Sequence, residues 1–386
     1  MRFGRSARGS VQDLPARAAG PARAEAEEHQ WQAAAASLAC DGSHSPLFCW
    51  ADAVNVPPLL VATARQIWRW QWQRLMDGLA PADSEGNFCR RSSQFAGRPL
   101  EPLLERATSS GRRPWLIIGR SCPWAHRTWL VHQLRGLEQQ IELVLVDPDP
   151  WAGRWVFPQP KLNCSSLLQL YSKAGADTKQ RATVPVLLDP GPDGGQPEIL
   201  SNESAELVQL LNRWLAVGKL DLEPAGERDA IEIWSQQLQA PLNDGVYRCG
   251  FARNQQAFDQ AEAALYAALE QIEKSLSLRG PWLCGQALTL ADVRLFPTLI
   301  RWEQVYAPLF GCSRQPLWCY PALWQWRMRM LEQPGVMGTC YPAAWRRDYF
   351  GALFPLQPSG RVPGGPADAT ALRQLLRSQI PSTMEK

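Results

Sequence analysis

One cysteine stands where a helix is about to begin. In Ser121-Cys122-Pro123-Trp124-Ala125-His126-Arg127 the thiol follows an apolar run, Trp115-Leu116-Ile117-Ile118-Gly119, and precedes Leu130, Leu134 and Leu137 at helical spacing. The run is short and closed by glycine, which predicts a buried strand. Pro123 suits a first helical position, where its missing N–H costs nothing. Cys122 then falls at the N-cap, facing backbone N–H groups without partners and the positive end of the helix dipole. That placement predicts a thiol ionising well below about 8.5, hence a nucleophile for redox or transfer chemistry. Taken alone, these residues also fit a small buried cysteine ahead of a helix. The Cys-Pro step directly after a strand favours the nucleophile.

The remaining composition narrows the chemistry. Ten cysteines are scattered with no CxxC pair and no metal-ligand spacing, and no signal peptide is evident, so a reducing cytoplasm is expected. Four histidines (His29, His44, His126 and His132) argue against a metal site and against a Ser-His-Asp hydrolase. No GxGxxG or GxxxxGK[ST] follows a strand, so no nucleotide is expected. Forty Lys and Arg against 37 Asp and Glu leave no bulk charge for nucleic acid or an anionic membrane. No apolar run reaches the roughly 18 residues of a membrane span. Eighteen tryptophans suit an aromatic core or a flat ligand surface.

A chain of 386 residues suggests two domains. Residues 1–55 read as a mostly disordered extension whose early arginines faintly resemble a transit peptide but fit a misassigned start or a solvated tail better. Residues 56–111 read as a helical and loop extension. Its helix from Leu59 to Leu79 gathers Leu60, Ala64, Ile67, Trp68, Trp72, Leu75 and Leu79 on one face, and a loop runs on to Arg112. Over 112–218 the order is strand 115–119, helix 123–136 and strand 141–147, a βαβ unit with a parallel strand pair. A Pro-rich loop 148–160, a short helix 167–173 and a strand 183–189 follow. Pro185 belongs at that strand's first residue or at an exposed edge. Then come strand 198–200 and a helix capped within Asn202-Glu203-Ser204. Over 219–345 helices 226–242, 254–277, 289–309 and 320–332 replace strands. Thr289-Leu290-Ala291-Asp292 forms a capping box, with Leu288 and Val293 as its staple. Residues 346–386 read as a tail. The fold class is therefore α/β followed by all-α.

Taken together, these elements resemble a glutathione transferase: a thioredoxin-like N-terminal domain followed by an all-helical C-terminal domain. Within that superfamily, Cys122-Pro123-Trp124-Ala125-His126-Arg127 is similar to the active-site motif of the glutathionyl-hydroquinone reductases, the Xi class. Gly153-Arg154-Trp155-Val156-Phe157, Thr183-Val184-Pro185-Val186-Leu187, Asn202-Glu203-Ser204, the run 243–252, the run 288–306 and the tail 360–366 continue the match over roughly residues 85–366. The resemblance implies glutathione as co-substrate, a glutathionylated aromatic substrate and a homodimer joined through the helical domain. It places Trp155, Val184, Pro185, Glu203 and Ser204 around glutathione, with a cis bond before Pro185. The Glu203-Ser204 helix start is also chemically suited to an amino-acid carboxylate and ammonium, or is simply a cap. Tyr247, Tyr306 and Tyr349 are implied to line the aromatic pocket as proton donors, although Asp348 stands where the family has histidine.

Ala125 occupies the position of a resolving cysteine, so a second glutathione is expected to resolve a Cys122–glutathione mixed disulfide. Two other readings stay open: an omega-like thioltransferase or dehydroascorbate reductase, and a non-enzymatic binding module. His126 and Arg127, in the first helical turn, are expected to bind an anion or face solvent. Trp318, Tyr320, Trp324 and Trp326 suit either a subunit interface or the core.

Overall fold

A computed structural model describes residues 57–90, 93, 95–109, 111–177, 179, 181–192, 195–214, 220–353 and 355–379. The extension 1–55, expected to be disordered, lies outside these residues, as does the boundary expected at 218–219. Two units divide between Gln71 and Trp72, inside helix α1 (Pro58–Leu79). In the first unit the described residues are the leading turns of that helix. Within the second, Met76 is buried. The loop expected before Arg112 is instead partly helix α2 (Leu100–Ser109). Pro102 hid it from the sequence, yet a proline in the first turn removes no intrahelical bond.

A six-stranded sheet in the order β4-β3-β2-β1-β5-β6 carries the N-terminal half. Strand β1 (Trp115–Gly119) pairs in parallel with β2 (Glu142–Asp149), as the βαβ pattern requires. Helix α3 (Pro123–Leu134) makes the crossover. Strand β5 (Val186–Asp189) is antiparallel to β1 and β6 (Glu198–Ser201) is antiparallel to β5. Pro185 sits one residue before β5, where it removes no ladder bond. The Pro-rich loop is corrected to a strand, β3 (Arg154–Lys161), antiparallel to β2 and to the short β4 (Cys164–Ser166). Pro158 and Pro160 fall between Val156 and Lys161, where the register with β4 shifts and no donor is needed from them. Helix α4 (Leu167–Lys173) opens on a capping box between Ser166 and Gln169. Helix α5 (Ser204–Arg213) packs beside α3.

The C-terminal half is helical: α6 (Arg228–Leu238), α7 (Gly245–Gly250), α8 (Gln255–Arg279), α9 (Leu290–Ile300), α10 (Ala307–Phe310) and α11 (Pro321–Leu331). Single π-helical turns interrupt the expected long helices at Gln239–Asn243 and Trp302–Tyr306. The capping box forms as expected. Asp292 is fully buried and accepts from the backbone N–H of Thr289 (3.0 Å) and Leu283 (3.0 Å) and from Trp326 Nε1 (2.8 Å). Leu288 and Val293 are buried beside it. Of the suggested interface aromatics, Tyr320, Trp324 and Trp326 are buried in the core and Trp318 is partly buried, so this cluster offers little free surface. The expected tail holds most of α12 (Pro342–Ala352) and all of α13 (Ala369–Ser378), which buries Leu372 and Leu376.

Candidate active site

Cys122, Trp155, Val184, Pro185, Glu203 and Ser204 come together around one cavity of about 760 Å³. Each is delivered by the end of an element. Cys122 is the N-cap of α3, with extended backbone (φ −73°, ψ 120°), and its N–H donates to Gly119 O at 3.1 Å. The Val184–Pro185 bond is cis, and Cys122 Sγ donates to Val184 O at 3.5 Å. Trp155 closes over the end of β1, where its ring lies so near Gly119 that a Cβ there would meet it at 2.4 Å. Glu203 caps α5, accepting from Ala205 N at 3.2 Å. Ser204 is 2 % exposed and its hydroxyl has no partner. A buried, unbonded hydroxyl facing a cavity is a group waiting for a ligand acceptor or donor.

The thiol departs from expectation. Burial raises Cys122 above the ordinary thiol range, outweighing the backbone N–H groups of Ala125 and Trp124 and the cations of Arg301 and Arg90, all of which lower it. The N-cap position is real, but desolvation of a thiolate costs more there than the helix terminus returns.

His126 and Arg127 face neither solvent nor the cavity; both are 2 % exposed. Arg301 Nη1 donates to His126 Nδ1 at 2.8 Å, so the ring proton sits on Nε2 and is directed at Thr339 Oγ1, 2.7 Å away. That hydroxyl in turn donates to Val336 O at 2.6 Å. The imidazole is neutral, and burial followed by the Arg301 charge holds its pKa well below the usual value. Arg127 donates to Arg294 O at 3.1 Å, and burial followed by the Arg294 charge pushes it down to about 9.

Arg301 is a site feature that sequence reading missed. It is 0 % exposed and, among the described residues, donates only to His126, Pro297 O (3.0 Å) and Arg120 O (3.3 Å). Its guanidinium lies 4.3 Å from the Trp345 ring centroid. Among the described residues it forms no ion pair with a carboxylate. An uncompensated buried cation is costly to fold around, and this one bonds residues on both chain sides of Cys122. The signal lay in the Arg301-Trp302 pair of the long match, but nothing local marked it as buried.

The three tyrosines, far apart in sequence, meet. Tyr247 and Tyr349 hydroxyls are 2.5 Å apart, and Tyr306 and Tyr349 hydroxyls 3.5 Å. None of the three belongs to the cavity wall. Trp124 connects cavity and tyrosines, lining the cavity and stacking on Tyr247 with centroids 6.2 Å apart. Arg90 and Arg127 lie 3.8 Å and 4.4 Å from the Trp124 centroid. Burial raises all three phenols, Tyr247 and Tyr349 well above their ordinary value. They are neutral hydroxyl donors at physiological pH. Asp348, buried beside them in sequence, is paired with Arg347 at 2.7 Å.

Comparison with known proteins agrees with this geometry. Residues 121–214 match the glutathione S-transferase N-terminal domain and residues 255–329 the C-terminal domain. The chain is 33 % identical to glutathionyl-hydroquinone reductase PcpF of Sphingobium chlorophenolicum, over 78 % of this chain and 95 % of that protein. It is 32 % identical to glutathionyl-hydroquinone reductase YqjG of Escherichia coli, over 73 % and 89 %. The glutathione transferase Xi structure from Phanerochaete chrysosporium superposes with a TM-score of 0.66 at 31 % identity, covering 75 % of this chain and 95 % of that one. Glutathione-bound YqjG superposes with a TM-score of 0.60 at 31 % identity, covering 65 % and 83 %. The thioredoxin-like sheet, the helical half and these relatives agree: the chain belongs to the Xi class of the glutathione transferases, the glutathionyl-hydroquinone reductases.

Proposed function

We propose that this chain removes glutathione from glutathionyl-hydroquinones, with Cys122 as nucleophile. The observation that carries this reading is the pairing, in one cavity, of a thiol at a helix N-terminus with the buried, unbonded Ser204 hydroxyl at a second helix N-terminus. Ser204 and the N-terminus of α5 hold the γ-glutamyl carboxylate, and Glu203 accepts from its ammonium. The main chain of Val184, ahead of Pro185, pairs with the cysteinyl unit, and Trp155 covers the tripeptide. Cys122 thiolate attacks the glutathionyl sulfur. The carbon–sulfur bond breaks, its electron pair leaves with the aromatic carbon, and that carbon takes a proton. The mixed disulfide then meets a second glutathione thiolate, which leaves as glutathione disulfide and returns Cys122.

The tyrosines suit the protonation step because they are neutral and stand beyond Trp124. An aromatic substrate reaches them only where Trp124 and Tyr247 part. Arg301 favours both anions of the cycle, the attacking thiolate and the departing electron pair. The omega-like reading uses the same Cys122; the clustered tyrosines favour the hydroquinone reaction, since a small disulfide needs no phenolic donor. An intact cavity weighs against a purely non-enzymatic module.

The working domains of this proposal are 112–218 for glutathione and 219–345 for the aromatic group, acting in a cytoplasmic homodimer. No helix among the described residues is long and apolar enough to cross a membrane. Whole-protein mass spectrometry after incubation with a glutathionylated hydroquinone tests the proposal. One glutathionyl adduct on Cys122, with free hydroquinone released, supports it; hydroquinone released without an adduct at any time overturns the covalent route.

A further inference from the structure

Besides the thioredoxin-like residues, the cavity is lined by a segment that the motif reading did not use. That segment, Pro81–Arg90, contributes Phe88, Cys89 and Arg90. This segment is pinned at several points. Asp83 Oδ1 accepts from Glu85 N and Asn87 N, both at 2.9 Å, and Cys89 N donates to Pro81 O at 2.8 Å. Arg253 N donates to Gly86 O at 3.0 Å and Asn254 Nδ2 to Glu85 O at 2.9 Å, tying the loop to the start of α8. The Phe88 ring meets Phe251 at 5.4 Å. Gly86 has a left-handed backbone (φ 88°), and a Cβ there would lie 2.6 Å from Asn254 Nδ2, so the close approach requires glycine. Cys89 is therefore an exposed thiol held in place, not one on a loose tail.

Ser204, buried and unbonded in the lining of the same cavity, independently marks the space as a ligand site. Arg90, Lys179 and Arg181 put positive charge around it, which suits a peptide bearing two carboxylates.

We propose that Cys89 is a second thiol-exchange site of the cavity, taking a glutathionyl group from glutathione disulfide. This rests on the glutathione reading of the cavity and adds a regulatory mark to it. Cys89 thiolate attacks one sulfur of glutathione disulfide, the disulfide bond breaks, and glutathione leaves as a thiolate that takes up a proton. The number of disulfides is unchanged, and excess glutathione reverses the exchange. The disulfide is the product of the proposed reaction, so the enzyme meets its Cys89 reagent in its own cavity. The adduct fills the space that the next substrate needs, and turnover slows as the glutathione pool becomes oxidised.

The test uses the full-length chain carrying Cys122→Ser, incubated with glutathione disulfide and read by intact mass and peptide mapping. Cys319, exposed and outside the cavity wall, is the internal control. Binding before reaction raises the local reagent concentration, so Cys89 should label about tenfold faster than Cys319. S-methylglutathione, which has no free thiol, should protect Cys89 and leave Cys319 unaffected. Equal labelling of the two cysteines, no adduct on Cys89, or an adduct indifferent to S-methylglutathione would each overturn the proposal. The adduct on Cys122 in the unsubstituted chain, formed from a glutathionylated hydroquinone, is a separate signal, so failure of the glutathione reading is seen independently.

Discussion

Burial acts on the two halves of this site with opposite consequences. In the thioredoxin-like half it raises the Cys122 thiol and so keeps the nucleophile uncharged until something compensates it. In the helical half it raises Tyr247, Tyr306 and Tyr349 and so keeps three hydroxyls as intact proton donors. The thiol half is built from the ends of strands and helices, Cys122 meeting Val184 across 62 residues, and opens on a cavity. The phenol half is built from side chains 102 and 43 residues apart, none of which lines that cavity. One physical cause leaves a nucleophile waiting and a donor ready. Arg301 is the cation the halves share: its charge lowers Cys122, Tyr306 and Tyr349 alike.

The contrast breaks most completely at the thiol. Cys122→Ala should abolish hydroquinone release, a loss of orders of magnitude, and Cys122→Ser should leave a trace, because a serine hydroxyl does not ionise there. Near-normal turnover of the alanine variant in a direct product assay would end the nucleophile assignment.

On the phenol side, Tyr247→Phe and Tyr306→Phe should each slow hydroquinone release about a hundredfold, the lower range of general-acid contributions. Reduction of hydroxyethyl disulfide should change little, since its leaving thiolate needs no phenol. Equal losses on both substrates in parallel assays would make the tyrosines structural and leave a generic thioltransferase.

The ligand end sharpens the first half. Glu203→Ala or Ser204→Ala should weaken glutathione binding by about 1.5–3 kcal/mol, roughly ten- to a hundredfold, with the fold kept. Calorimetry decides it: unchanged affinity with a lower melting temperature would make these residues caps and nothing more.

The smallest effect tests the shared cation. A raised thiol pKa means that the thiolate fraction is low at neutral pH and grows as pH rises. Alkylation of Cys122 by iodoacetamide should therefore climb with pH through a midpoint above that of an ordinary thiol. Arg301→Met removes a cation that lowers the thiol, so the midpoint should move up further and the rate at neutral pH should fall. Arg301→Lys should restore most of it. A flat profile, or an unshifted midpoint in a folded Arg301→Met, would separate Arg301 from the thiol.

Legibility in the sequence followed the same division. The βαβ unit and the Thr289–Asp292 box were written in local patterns of period and cap, and they formed where expected. Of the six residues now around the cavity, Cys122 and the Glu203–Ser204 pair announce helix starts in neighbouring letters, whereas Trp155, Val184 and Pro185 were assigned to the ligand by the resemblance. What stayed hidden depends on distance or on context. Strand β3 was masked by prolines whose cost vanishes only at a register shift. Desolvation of Cys122 depends on what covers it, which no seven-residue motif reports. Arg301, the Tyr247–Tyr349 contact and the burial of Trp324 and Trp326 arise from the packing of helices far apart in the chain. The aromatic cluster shows how little composition says about destination: the letters suited an interface and served as core.

The hydroxyl chain Tyr247–Tyr349–Tyr306 also sets a proton count. Three phenols bring three O–H protons, and the contacts among them engage at least two, leaving at most one uncommitted hydroxyl proton for the whole set. Tyr306 has no exposed surface, so its hydroxyl is coupled to the other two phenols rather than to bulk water. The cluster therefore behaves as one acid with three addresses. Because Tyr306 also bonds Tyr247 directly, a phenylalanine at Tyr349 would leave a coupled pair rather than two isolated acids.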